Sequence, residues 1–239
     1  LKCVSENPSQ FYVKTMIDTS IYLNLFLTIG GLYLGLNVLG LLYSKFVIDG
    51  TIYWELPYIH KHLPQTFNKH LPLILINLML MLAIFPAGLH LMSDILIIPY
   101  QNFGIMLGQV FAMFLIDDLY FYFYHRLLHK NKFLYKNIHY IHHRASKPFP
   151  SDYLYEHPLE WMLGLLGPFI AILVLGGVAF PALILFLIIR TLHELDIHSG
   201  IASFYKKIPF AGTNEHHALH HKLYDIHYAS VFSLWDKVF

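Results

Sequence analysis

The fold of this chain is decided by residues 103–143, FGIMLGQVFAMFLIDDLYFYFYHRLLHKNKFLYKNIHYIHH. Residues 103–124 form a predominantly apolar run, long enough for a helix to cross roughly 30 Å of hydrocarbon. The run leads directly into His125-x3-His129, and His139-x2-His142-His143 follows shortly afterwards. This segment therefore predicts a membrane-spanning helix that carries histidines to one membrane surface.

The composition indicates a membrane protein. Of the 239 residues, 56% are hydrophobic and only 13% are charged, and the mean hydropathy is +0.50. This is more apolar surface than a single soluble core needs. The one cysteine, Cys3, excludes a disulfide framework and thiolate metal sites. A net charge of +1 gives no reason to expect a nucleic-acid partner.

The apolar stretches predict an all-α fold, a polytopic membrane helical bundle with a histidine-rich metal-binding cap. Residues 21–43, 71–91 and 103–124 each have the length of one span, and a polar loop of residues 44–70 separates the first two. The fourth stretch, residues 159–191, is too long for one crossing and is interrupted by glycines and prolines.

The third histidine cluster, His217-x2-His220-His221, indicates how many times the fourth apolar stretch crosses the membrane. Residues 125–157 contain no spanning segment, so the first two clusters lie on one side of the membrane, and the third must return there. The stretch therefore crosses twice or not at all. We predict a helical hairpin that turns at residues 176–181, which gives about four spanning elements.

The distribution of basic residues predicts the orientation of the bundle. The turns expected on the far side, residues 92–102 and 176–180, contain no Lys or Arg. The histidine side contains Arg126, Lys130, Lys132, Lys136, Arg144 and Lys147. By the positive-inside tendency the histidines face the cytoplasm.

We expect a multi-pass protein of the endoplasmic reticulum if eukaryotic, or of the inner membrane if bacterial. Residues 1–116 are its N-terminal transmembrane part and residues 117–239 its catalytic part, within one domain.

The histidine clusters predict a site for two metal ions. On a helix, residues three and four apart share a face, so each cluster aims several ring nitrogens at one point. Neutral imidazole is a common transition-metal ligand, and eight exceed what one ion uses. His157 and His198 flank the hairpin and would complete the shells. The predicted ligands are His125, His129, His139, His142, His143, His157, His198, His217, His220 and His221.

Three further side chains have more than one interpretation. His193 either binds metal or hydrogen-bonds near a helix end, and His216 points about 100° away from His217, which favours a supporting or surface role. Asp118 lies within two turns of His125, where an ionisable group in an apolar span is costly. We expect Asp118 to take part in catalysis by accepting the ring N–H of a ligating histidine. The alternative is that it only marks the membrane boundary.

Further motifs follow in order along the second half of the chain. They are His157-Pro158-x-Glu160, His198-Ser199-Gly200 and Tyr228-Ala229-Ser230-x-Phe232-x-x-Trp235-Asp236. With the three histidine boxes they resemble the membrane fatty acid hydroxylase/sterol desaturase superfamily, nearest to sterol C4-methyl oxidases. The resemblance covers residues 117–239. Chains of this family continue past the Trp-Asp pair, so further residues are expected after Phe239.

The resemblance implies two iron ions and O2 as co-substrate, with hydroxylation of a membrane lipid such as a sterol or a fatty acyl lipid. Successive oxidation of a methyl group and lipid desaturation are related outcomes, and zinc is expected to replace iron in some preparations. The chain has no cysteine cluster or nucleotide fingerprint, so an external electron donor is implied, a cytochrome b5 or a ferredoxin with its reductase.

The main competing class is a non-oxygenase membrane zinc protein. A zinc hydrolase usually needs only three protein ligands, and a metal transporter places its ligands near the bilayer midplane. A bis-histidine haem protein would need paired histidines within the spans. Here the histidines collect at one surface, which favours the oxygenase.

Overall fold

The computed structural model describes residues 23–24, 26–49, 64–92 and 96–239. Within them, three helical segments are long and apolar enough to cross a membrane. They are α1 (Gly31–Asp49), which follows a π-helical turn at Phe26–Gly30, α2 (Pro64–Leu91) and α3 (Phe103–Lys130). The predicted all-α bundle with a histidine-rich cap is confirmed. The number of crossings and the cytoplasmic orientation stay predictions.

The helices extend further than the sequence patterns predicted. The expected loop of residues 44–70 is too long, because α1 continues to Asp49 and α2 begins at Pro64. Proline suits the first turn of a helix, where its missing N–H leaves no bond unmade. The middle of that loop, like the start of the first predicted span, lies outside the described residues. Helix α3 runs past residue 124, so His125 and His129 lie on the spanning helix itself.

The remaining elements are shorter, and all but the first of them lie between α3 and the C-terminus. In chain order they are β1 (Ile97–Ile98), which precedes α3, then α4 (Lys132–Leu134), a π-helical turn at Tyr135–His139, α5 (Tyr140–His143), a 3-10 turn at Pro150–Leu154, α6 (Pro158–Gly164), α7 (Leu166–Val174), β2 (Val178–Ala179), α8 (Phe180–Ile197), α9 (Asn214–Leu223) and α10 (Trp235–Val238). Two of the three histidine clusters therefore lie largely on short helices that cap the bundle.

The fourth apolar stretch folds into helices on either side of a turn, as predicted. Gly176 and Gly177 turn the chain with φ values of +68° and +105°, which side-chain-bearing residues rarely adopt. Directly after them, β2 pairs in parallel with β1, with Ile97 opposite Val178. Helix α8 is longer than the predicted second arm, because it continues through polar residues to Ile197. Both α3 and α8 therefore begin near the β1–β2 pair and end at the histidines.

Polar side chains on the first two spans anchor the segment that leads into the hairpin. The buried Asn77 amide donates to the carbonyls of Leu154 and Glu156, both at 2.8 Å, and accepts from Trp161 Nε1 at 2.9 Å. Similar bonds join Asn37 to Tyr153, Ser44 to Ser151 and His70 to Asp152. Buried polar groups need such partners to offset the loss of water. The bonds therefore hold this segment at a defined position beside the spans.

Asp118, which lies on α3, forms hydrogen bonds with the C-terminal segment and not with a histidine. Its two carboxylate oxygens accept the backbone N–H groups of Val231 at 2.8 Å and Phe232 at 2.7 Å. The prediction that Asp118 accepts a ring N–H of a ligating histidine is therefore corrected. Asp118 and His125 are seven residues apart, about 10.5 Å along the helix axis, which is beyond the reach of a short carboxylate.

Replacing Asp118 with alanine removes the acceptor of two backbone N–H groups. A hydrogen bond to a charged group contributes about 1.5 to 3 kcal/mol, so the free energy of unfolding should fall by about 3 kcal/mol or more. Thermal unfolding in detergent measures the change. Asp225→Ala is the control, because the exposed Asp225–Lys130 pair at 3.2 Å should contribute less than about 1 kcal/mol. An unchanged midpoint for Asp118→Ala would contradict the anchoring role.

Candidate metal centre

Nine histidines converge into two groups at the end of the bundle. In each group the potential ligand atoms all lie within 4.8 Å of one another. The first group contains His125, His129, His139, His143 and His220, and the second contains His142, His198, His217 and His221. The second and third sequence clusters each contribute to both groups. This division follows from helix geometry, because His217 and His221 share one face of α9 while His220 points to the other group.

The distances between ring nitrogens fit a cation at the centre of each group. Two nitrogens bound to one ion at about 2.1 Å and roughly 90° apart lie about 3 Å from each other. In the first group, His139 Nε2 lies 2.7 Å from His129 Nε2 and 2.9 Å from His143 Nε2. In the second, His217 Nε2 lies 2.9 Å from His198 Nε2 and 3.0 Å from His221 Nε2. The residues present therefore fit two metal ions.

The outer nitrogens of four ligands are held by hydrogen-bond acceptors. His139 Nδ1 donates to Glu160 Oε1 at 2.6 Å, and both side chains are buried. The other three bond to backbone carbonyls, His125 to Tyr228 at 2.8 Å, His198 to Glu194 at 2.8 Å and His220 to Ile226 at 2.7 Å. A proton on Nδ1 leaves the Nε2 lone pair free for metal. His220 Nε2 is buried without a hydrogen-bond partner, as a metal-directed atom should be.

Burial keeps six histidines of the cap neutral. It lowers the pKa of His142 to about 3 and the pKa of His198 to about 4. The pKa values of His143, His217, His220 and His221 are lowered further by burial and by the neighbouring imidazoles. Neutral imidazole is the form that binds metal, so the site is ready for ions at neutral pH without first losing protons.

A cavity borders both histidine groups. Its wall includes His125 and His139 from the first group and His142, His198 and His217 from the second. Apolar side chains line another part, namely Met81, Phe121, Leu128, Leu154, Trp161 and Leu165. Arg190, Glu194 and Glu156 also reach this space. The side chains around this cavity are therefore suited to an apolar molecule that carries a polar group.

Comparisons with known proteins agree with this geometry. The family model described as Fatty acid hydroxylase matches residues 110–239, more than half of the chain. The chain belongs to the fatty acid hydroxylase family. The predicted resemblance is confirmed, and this family member is an integral membrane oxidoreductase that oxidises lipid.

Relatives of this fatty acid hydroxylase family member include enzymes named for lipid substrates. Methylsterol monooxygenase 1 of Gallus gallus is 31% identical over 214 residues, covering 82% of this chain and 71% of the relative. The Rattus norvegicus enzyme of the same name is 31% identical, with coverage of 83% and 72%. Sphinganine C4-monooxygenase 2 of Arabidopsis thaliana is 35% identical over 148 residues, covering 58% and 56%. No solved structure matches the chain.

Nine of the ten predicted ligands are brought into the two groups, and His157 is not. Its Nδ1 accepts the backbone N–H of Leu159 at 3.1 Å, so it caps the start of α6. The expectation that His157 completes a metal shell is therefore corrected. His193 lies outside both groups and bonds to the Ser230 carbonyl at 3.1 Å. His216 also lies outside them, near His227.

The sequence interpretation missed Glu160 as a functional side chain. The predicted carboxylate partner of a ligand was Asp118, but Glu160 has that geometry. The available signal was its position three residues after His157, in the first turn of a helix that begins at Pro158. The motif pointed to a segment beside the histidine groups, and in the structure its glutamate, not its histidine, contacts them.

Glu160→Gln should weaken metal binding while leaving the fold intact. The amide can still contact His139 but no longer carries the charge that strengthens this hydrogen bond, and such partners typically change metal affinity by 10- to 100-fold. Competition with a metal chelator measures the change. Glu215→Gln is the matched control, since Glu215 pairs with Lys206 outside the cavity. Equal metal retention in the two variants would contradict the role of Glu160.

Metal-free protein should lose stability as the pH falls below about 6.5. The folded chain resists protonation of the cap histidines, whereas the unfolded chain takes up protons near their ordinary pKa of 6.5. Unfolding therefore becomes more favourable between pH 6.5 and about 4. Burial raises the pKa of Asp152 to about 6, so protonation of this one carboxyl group favours the folded chain as the pH falls. The histidines, which favour the unfolded chain, are more numerous. Unfolding midpoints of chelator-treated protein at pH 7.5, 6 and 5 test this, and a constant or rising midpoint would contradict it.

Proposed function

We propose that this family member is an O2-dependent di-iron monooxygenase that hydroxylates a membrane lipid. The observation that supports this best is the pair of adjacent histidine groups, both of which open onto one partly apolar cavity. The names of the relatives favour a methylsterol as the lipid, with successive oxidation of one methyl group as an extension of the same chemistry.

Iron fits the donor set of both groups. The proposed ligands are five imidazoles for one ion and four for the other, with no thiolate among them. Zinc enzymes that hydrolyse bonds usually need three protein ligands and one open position, so five histidines at one ion favour iron over hydrolytic zinc. Bound iron would supply O2 activation and oxidation of a C–H bond. Zinc would fit the same nitrogens and is expected in some preparations.

The protein's own contribution is to hold the ligands and to place the lipid. Glu160 and three backbone carbonyls fix the orientation of four imidazoles, so little reorganisation is needed when the ions bind. The apolar wall, which includes Trp161 and Leu165, excludes water from the reactive region and accepts the hydrocarbon body of the substrate. The helices α2 and α3, both long and apolar enough to span a membrane, contribute Met81 and Phe121 to this wall, so the cavity lies against the apolar bundle.

Hydroxylation by O2 requires electrons, and we assign them to an external donor such as a cytochrome b5 or a ferredoxin with its reductase. The basic residues within 126–147 offer a surface for an acidic donor, and Lys130, at the end of α3, is exposed there. This assignment requires that the histidines face the cytoplasm. The membrane would be the endoplasmic reticulum in a eukaryote or the inner membrane in a bacterium.

Reconstitution with iron tests the proposed function. The protein in phospholipid nanodiscs is loaded with Fe2+, supplied with cytochrome b5, its reductase and 18O2, and incubated with a methylsterol. Mass spectrometry should find one 18O atom in a sterol alcohol, and omission of the reductase should abolish it. A product that lacks two hydrogens and contains no 18O would instead identify a desaturase. Absence of any oxidised lipid with two irons bound would contradict the proposal.

Two neighbouring histidines on α9 provide matched variants for this experiment. His217→Ala removes a member of the second group, so it should lower the iron content from two ions to about one and abolish product formation. His216→Ala removes an imidazole that lies outside both groups and should retain two irons. Two irons in the His217→Ala protein would overturn the assignment of ligands.

A further inference from the structure

We propose that Arg190 and Glu194 form the polar recognition pair of the cavity, which binds an uncharged hydroxyl group of the lipid beside the second histidine group. The inference rests on the proposed function, because it specifies which part of the lipid the enzyme recognises. It assigns a role to two charged side chains that lie outside both histidine groups and that each already make one contact: Arg190 donates to Asp117, and Glu194 Oε1 accepts from the Ser230 hydroxyl at 3.2 Å.

The two side chains are aligned with the metal centre on one helix. Arg190 and Glu194 lie four residues apart on α8, and His198, four residues further on, is the cap residue at the end of that helix, so the three occupy the same face. All three line the cavity. Glu194 Oε2 lies 3.9 Å from His198 Nδ1, on the outer side of that ligand. A group bound to Glu194 therefore sits next to the second histidine group.

Arg190 has unused hydrogen-bond donors. Its Nε donates to Asp117 Oδ2 at 2.9 Å, which holds the guanidinium in place. An arginine commonly pairs with a carboxylate through two parallel bonds, but this pair uses one, and Asp117 Oδ1 is buried without a partner. Among the described residues, neither terminal nitrogen of Arg190 has a hydrogen-bond acceptor. Two donor groups therefore remain available at the cavity wall.

The charges around these donors favour a neutral ligand. Asp117 and Glu194 both lie near Arg190 and offset its positive charge, so a carboxylate or phosphate would gain little from the guanidinium there. A hydroxyl group both accepts and donates. Its oxygen can accept from an Arg190 terminal nitrogen while its hydrogen is donated to the Glu194 carboxylate. The pair therefore favours a lipid alcohol over a fatty-acid anion.

This position has a consequence for where the lipid is oxidised. The hydroxyl would lie close to His198, and the apolar wall of Met81, Leu154 and Trp161 would hold the hydrocarbon body. The end of the lipid that bears the hydroxyl then lies nearest to the second histidine group. The pair would therefore select the oxidised position as well as the class of lipid.

Lipid binding tests the pair without requiring iron or O2. Wild-type protein in phosphatidylcholine nanodiscs is titrated with a tritiated methylsterol that has a free hydroxyl and with its deoxy analogue. We expect the alcohol to bind at least about ten-fold more tightly, as for a hydrogen bond to a charged group. Glu194→Ala should remove most of this preference, Glu194→Gln should retain part of it, and Glu215→Ala should leave it unchanged. An unlabelled 18-carbon fatty acid should compete poorly.

Each result decides the proposal. Equal binding of the alcohol and the deoxy sterol to wild-type protein, or an undiminished preference in Glu194→Ala, would overturn it. If Glu194→Ala binds neither sterol, Arg190→Lys becomes the deciding variant, because it keeps the charge beside Asp117 but changes the donors, and it must weaken only the alcohol. Failure of the proposed function is separate, because it would appear as a preserved hydroxyl preference with no oxidised product.

Discussion

The structure depends on nine imidazoles, seven of them buried, that must be uncharged and directed at two points. Protonated rings at distances near 3 Å would repel one another strongly in a low-dielectric interior, so burial and neutrality have to occur together. Lowered pKa values in the cap meet this requirement. The acceptors at the outer nitrogens then decide which nitrogen of each ring remains free. A single misplaced acceptor would turn a metal ligand into an ordinary buried histidine.

The long helices support this arrangement because of where they begin and end, as well as because of their length. Helices α3 and α8 begin beside the β1–β2 pair and end at the histidines, so both helices position the histidine groups at one end of the bundle. Asn77 on α2 and Asp118 on α3 hold the flanking segments through backbone hydrogen bonds. Such bonds are especially important near a bilayer, where water is not available to satisfy free N–H groups.

The segment around His157 shows how far a motif can be interpreted without coordinates. Its residues predicted a contribution to the metal centre, and the segment does make one, but through Glu160. His157 instead satisfies the first N–H of α6. Both side chains are polar and lie within one turn of each other, so their spacing could not decide which of them faces inward. That depends on the bonds from Asn77 that set the orientation of the helix.

The sequence alone determined the membrane class, the helical bundle and nine histidines of the metal centre, because apolar length and i, i+3 and i+4 spacing are local properties of a chain. The tertiary structure decided how these histidines divide between two groups. It placed His142 and His143, which are adjacent in sequence, in different groups. It also brought Arg190 and Glu194 to the cavity wall. These outcomes depend on the packing of α8 and α9 against the bundle, which local spacing does not specify.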